Sequence, residues 1–180
     1  MTPEEYHQLK AFARQDGALL SLLWIGSFSC YILGIANPLL GMLALILLVA
    51  SPFYAANRLR HFRDGARNGA ISFLRGYAYT VLIFFYAGVL MAAAVYIYFA
   101  FIDKGYLLST VTQFFGTKEG QAALKLYGLA DQMKESMKML AEMRPIDYAV
   151  NMLTINIMTG FMLALPIAAV MKRETANSKM

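Results

Sequence analysis

The sequence predicts an all-α integral membrane protein, with four transmembrane helices and an amphipathic extracytoplasmic helix between the third and the fourth. Three observations carry this expectation. Of 180 residues, 59% are hydrophobic and only 15% charged, and the mean hydropathy of +0.51 is well above ordinary soluble usage. The apolar residues gather in four charge-free stretches, each long enough for the roughly 20 residues that a helix needs to cross a bilayer. The basic residues, in turn, concentrate between and beyond those stretches. Four spans would consume nearly half of the chain, so we read residues 1–180 as a single membrane domain with no room for a soluble catalytic unit.

The first span is expected over 18–35. It holds nine Leu, Ile or Phe residues, worth roughly −3 to −5 kcal/mol toward insertion. Gly34-Ile35-Ala36 weakly resembles a small-x-small cleavage site. The length of the run, and Glu4, Glu5 and Asp16 ahead of it, argue instead for a retained span. Asn37-Pro38 makes a turn, and a second span follows over 38–56. Pro52 should kink or end that helix, with Phe53 and Tyr54 as interfacial anchors. Residues 57–75 then read as a basic loop with five arginines. The third span is expected over 76–102, its core near 79–101, with Tyr77 and Tyr79 at one interface and Tyr96, Tyr98 and Tyr106 near the other. Residues 118–143 are expected to form one amphipathic helix, since Leu126, Ala130, Met133, Met137 and Leu140 recur at spacings of four and three. Arg144-Pro145 ends it, and the fourth span covers 148–171.

Lysine and arginine counts orient the bundle. The N-terminal segment, the 57–75 loop and the tail together carry ten basic and five acidic residues, whereas the other side carries six of each. The whole net charge of +5 therefore belongs to one face. By the positive-inside rule that face is cytoplasmic, which places both termini inside and the amphipathic helix outside. A charge accounted for by orientation gives no reason to expect nucleic acid as a partner.

Candidate contacts follow from residue type and spacing. Arg58, Arg60, Arg63 and Arg67 could meet the phosphates of anionic lipids, each basic residue contributing about 1 kcal/mol near an anionic leaflet. The plainer reading makes them topology determinants. Leu59, Phe62 and Ala66 would then face the bilayer if this piece is an interfacial helix. Gly26, Cys30 and Gly34 in the first span, and Gly88 and Ala92 in the third, repeat every four residues and would let helix backbones approach. Asn156, with Gly160 one turn on, is the deepest strongly polar side chain; counting inward from the interfaces puts it level with Tyr31 and Ala94, within reach of the Tyr31 hydroxyl. No ionisable residue falls in the central core by this count, which argues against a pump or a proton-coupled transporter. Cys30 is the only cysteine, and His7 and His61 lack metal-ligand company. Nothing predicts a catalytic set, a metal site or a cofactor.

The run Phe62-Arg63-Asp64-Gly65-Ala66-Arg67-Asn68-Gly69-Ala70-Ile71-Ser72-Phe73 leads into the third span. Together with Tyr98 to Phe101 followed by Ile102-Asp103, and a Met-rich acidic helix before Arg144-Pro145, it resembles the bacterial inner-membrane proteins of domain of unknown function family 4199. The resemblance covers nearly the whole chain, with Lys104 standing where members often place Pro. It implies a four-helix membrane protein without an assigned activity. Two functions are expected on these grounds. The first is a non-enzymatic accessory or scaffold subunit of an envelope complex, bound to a protein partner or a second copy amid membrane lipids. The alternative is a lipid or polyprenyl-phosphate binding or transport protein that uses the arginine loop.

Overall fold

Each long helix of the computed structural model, which describes residues 2–35 and 37–173, starts at a signal written in the sequence. Helix α1 (Pro3–Gly34) opens on a capping box, in which the Thr2 hydroxyl accepts from the Glu5 backbone N–H at 3.2 Å and the Glu5 carboxylate accepts from the Thr2 N–H at 3.0 Å. The helix thus begins some fifteen residues before the apolar run. Asn37 caps α2 (Pro38–Ala66) by accepting from Leu39 N–H, with Pro38 in the first turn. Helix α2 continues through Pro52 and on to Ala66, so the expected end near residue 56 is too early. The reason is burial: Leu59 and Phe62, expected to face lipid, lie in the core at 0% and 2% exposure. Asn68 and Gly69, both at positive φ, reverse the chain into α3 (Phe73–Ile97).

Helix α3 ends in one π turn, Tyr98–Ile102, where the Asp103 N–H donates to the Tyr98 carbonyl. Asp103 then starts the next helix by accepting from the N–H groups of Gly105 and Leu107 and from the Tyr98 hydroxyl. The single amphipathic helix expected over 118–143 is corrected here. Residues 106–142 form three helices, α4 (Tyr106–Gly116), α5 (Lys118–Leu126) and α6 (Ala130–Glu142). The break comes from Gly128, whose φ of 65° lets Gly128 N–H and Leu129 N–H turn back to the carbonyls of Lys125 and Leu124. Helix α7 (Pro145–Met171) follows, again with Pro in the first turn.

Helices α1, α2, α3 and α7 are long and apolar enough to cross a membrane. They run alternately up and down. Helix α3 is central, packed along α1 on one side and α7 on the other, while α2 lies against α1 and only touches α3 and α7. Outward-facing Leu39, Phe53, Leu74, Met162 and Val170 are each more than two-thirds exposed, as lipid-facing residues are. At the hairpin end of the bundle, Ser27 donates to the Ala44 carbonyl at 2.8 Å and Trp24 Nε1 to the Ser51 hydroxyl at 2.8 Å. At the arginine-rich end, Ile71 and Arg173 exchange backbone hydrogen bonds, tying the residues after α7 to the α2–α3 connection.

Glycines set the closest approaches. A Cβ on Gly160 would stand 2.5 Å from Phe84 Cβ, and one on Gly17 would stand 2.8 Å from the Ile83 carbonyl oxygen and from Tyr86 Cβ. Gly160→Val should therefore lower the unfolding free energy by about 1–3 kcal/mol, as overpacking does. Gly26→Ala, with nothing within 4 Å of the added carbon, should leave it unchanged or raise it by up to about 1 kcal/mol. Unfolding followed in detergent micelles checks both, and equal stability of the two variants would contradict this packing.

Candidate functional site

Asp16 was expected on the solvated face, and the structure corrects this. Its side chain is 1% exposed and sits where α1, α2 and α3 meet. Arg58 Nε donates to its Oδ1 at 2.7 Å, and the Tyr79 hydroxyl donates to its Oδ2. Tyr79, expected as an interfacial marker, is itself fully buried and stacks on Phe62 with ring centroids 4.5 Å apart. One turn before Arg58, the Tyr54 hydroxyl is buried with no hydrogen-bond partner among the described residues.

Depth follows from the glycine contacts. Gly17 meets α3 at Ile83 to Ala87, and Gly160 of α7 meets α3 at Phe84, so Asp16 lies level with the middle of α7. From there α7 runs another eleven residues, about 17 Å of helix, to Met171. The interior of the bundle at this level therefore holds a carboxylate paired with Arg58 and Tyr79. Desolvating a carboxylate costs several kcal/mol, which only a well-made pair with further hydrogen bonds repays, and Asp16 has both.

The arginine cluster is largely committed within the chain. Arg58 holds Asp16; Arg67 and Arg75 both hold Glu5, at 2.8 and 2.9 Å; Arg63 holds the neighbouring Asp64 at 2.7 Å and donates to the Met171 carbonyl at 3.1 Å. Arg60 reaches Asp64 only at 3.6 Å and is the most exposed of these arginines, at 66%. Of the four proposed lipid contacts, then, Arg58, Arg63 and Arg67 close the bundle's end, and Arg60 alone stands out into the surroundings. The sequence signal for this was the presence of Glu5, Asp16 and Asp64 near the same end.

The small residues divide in the same way. Gly34 faces Gly41 across the α1–α2 hairpin, Gly88 faces Leu153 and Asn156, and Gly160 faces Phe84; Ala92 is buried and Cys30 half-buried. Gly26 faces open space. Sequence reasoning missed Gly17 and Gly76, the latter set against Leu59 and Ala168. Asn156 lies level with Gly88, not Ala94, and makes no hydrogen bond to Tyr31 among the described residues. Both side chains instead line a cavity of about 200 Å³ between α1, α2, α3 and α7, with Trp24, Leu48, Met91 and Met152. The Asn156 Nδ2 is buried with no partner among the described residues.

Removing one member of the buried pair should expose its value. Asp16→Ala leaves Arg58 without its carboxylate and should cost about 3 kcal/mol, the lower end for breaking such pairs because Arg58 keeps 30% exposure. Asp16→Leu combined with Arg58→Met should recover most of that loss. Thermal unfolding in micelles measures both, and a wild-type stability for Asp16→Ala would remove the pair from the framework.

Comparison with known proteins gives one match. The family model described as "Protein of unknown function (DUF4199)" aligns with residues 15–173, from the residue before Asp16 to the end of the described chain. No curated protein and no solved structure matches. The match takes in α1 from residue 15 on, the other three long helices and the α4 to α6 connection. The chain belongs to the DUF4199 family of proteins of unknown function.

Proposed function

We propose that this protein is a non-enzymatic accessory or scaffold subunit of an envelope complex in the bacterial inner membrane, with both termini cytoplasmic and α4 to α6 outside. The observation that supports it is apolar surface in the wrong place. Helices α5 and α6 carry Lys118, Glu119, Lys125, Asp131, Lys134, Glu135, Lys138 and Glu142, too many charges for the hydrocarbon layer. Yet Leu126 is 78% exposed, Tyr127 72%, Met139 55% and, on α4, Phe114 54%. Met133, Met137 and Leu140 turn inward and are half-buried. Large apolar side chains left outside both the core and the spans favour a surface that is covered in use, each worth about 1.5–3 kcal/mol when fully buried. Binding of lipid or polyprenyl phosphate through the arginine loop is the weaker reading, because three of its four arginines already hold internal partners.

Two measurements test this. A photo-crosslinking residue at Tyr127 should capture a discrete protein in intact membranes, and Leu126→Glu with Met139→Glu should abolish that product without changing thermal stability. Crosslinks to lipid alone would sink the proposal. For the topology, with Cys30→Ala as background, cysteines at Asn68 and Gln132 should label from opposite sides of the membrane. Labelling of both from one side would overturn the orientation.

A further inference from the structure

The positive charge that the arginine cluster does not use up gathers elsewhere. His7, Lys10 and Arg14 project from one face of α1, at spacings of three and four, and with Ala11 and Tyr86 of α3 they line a cavity of about 470 Å³. Among the described residues none of these three side chains has a carboxylate within ion-pair distance, in contrast to Arg58, Arg63, Arg67 and Arg75. Glu4, one turn earlier on α1, does not line the cavity. The concavity has a cause in the sequence. Gly17 lets α1 press directly on the α3 backbone at Ile83 and Ala87, and Tyr86 emerges beside that contact, toward the α1 turns that carry Arg14, Ala11 and Lys10.

The level of this cavity identifies what can enter it. Lys10 and Arg14 lie two to six residues from Asp16 toward the arginine-rich end, about 3–9 Å along the helix. At that level α7 still shows Met162 and Leu165 to its surroundings, at 71% and 52% exposure. The cavity therefore opens beside the hydrocarbon boundary and not in bulk water. Its lining is amphipathic: Ala11, the Tyr86 ring and the aliphatic stems of Lys10 and Arg14 are apolar, while an ammonium, a guanidinium, an imidazole and a phenol supply the polar tips. Basic pockets between membrane helices of this kind suit lipid headgroups.

We propose that the α1–α3 seam binds the phosphate of one anionic phospholipid, with Lys10 and Arg14 as its charge partners, Tyr86 as a hydrogen-bond donor, and the acyl chains directed along the apolar surface of α3. These residues lie before or outside the arginine loop, and most of them precede the region shared with the family, so the site is independent of the scaffold function.

The test uses the full chain reconstituted in phosphatidylcholine vesicles, with and without phosphatidylglycerol. After mild extraction, native mass spectrometry counts retained phosphatidylglycerol. Lys10→Gln with Arg14→Gln should weaken retention about 30-fold, two charges at the usual strength of a basic residue near an anionic lipid. Lys10→Arg with Arg14→Lys should restore it, and Arg60→Gln should leave it at the wild-type level. Unchanged retention in the double glutamine variant would overturn the proposal, as would an equal loss with Arg60→Gln. Added inorganic phosphate should not displace the lipid; full displacement at matched concentration would make the cavity a free-anion site and overturn the lipid assignment. Both altered residues are exposed, and an unchanged melting temperature shows that a loss of lipid is not a loss of fold.

Discussion

The contact between Asp16 and Arg58 constrains everything around it. A carboxylate buried level with the middle of α7 must be met by a cation and a hydrogen-bond donor, or its burial would cost several kcal/mol. Arg58 and Tyr79 come from different helices, so satisfying Asp16 fixes α1, α2 and α3 in one register. The neighbouring residues fit that register. Gly17 admits the α3 backbone, Phe62 stacks on the ring whose hydroxyl reaches Asp16, and Leu20 and Leu59 complete the wall at 0% exposure. Apolar helices slide against one another at little cost in lipid, where no hydrophobic force holds them. A buried polar cluster converts that freedom into a single arrangement, the best-attested use of such groups.

A second group of ion pairs fastens the arginine-rich end. Glu5 serves twice, capping α1 through Thr2 and bridging Arg67 to Arg75 across the α2–α3 connection. Arg63 reaches the last carbonyl of α7, where the orphan acceptors of a helix C-terminus welcome a cation. The extension of α1 before its apolar run therefore has a structural purpose: without Pro3 to Arg14 the Glu5 bridge and the buried face of Leu9 and Ala13 would be missing.

How much of this was legible in the sequence depended on the scale of the signal. Apolar stretches and a turn at Asn37-Pro38 announce spans directly, because insertion energy sums over many residues. Where the helices end was less visible: Leu59 and Phe62 continue the buried face of α2 past a run of arginines whose charges suggested a loop. Asp16 was misplaced by its chemistry, although its position was readable. Leu9, Ala13, Gly17, Leu20 and Trp24 recur at spacings of four, four, three and four, and Asp16 borders that stripe. In the α4 to α6 connection, periodicity was followed straight across Gly128, because a stripe of apolar residues says nothing about a backbone turning at positive φ. The pairing of particular arginines with Glu5 or Asp16 was not readable at all, since it depends on which helices come together.

The surface chemistry of the two sides of the bundle changes at different levels along the helices. On the α1–α2 side polar chemistry begins at Asp16 and Arg58, with Lys10 and Arg14 exposed just beyond. On the α3–α7 side the surface stays apolar much further toward the same end, through Leu74 and Val170 at 73% and 77% exposure. No flat boundary perpendicular to the helices satisfies both. Tilting the bundle, thinning the bilayer along α1 or letting long cationic side chains snorkel each costs only fractions of a kcal/mol per Å of mismatch. The stems of Lys10 and Arg14 are long enough to take up part of the difference. An anionic headgroup drawn to them would take up more, by lowering the lipid surface on the side where the protein is polar. For the lipid site proposed at the α1–α3 seam, this asymmetry supplies a physical reason for one headgroup to stay.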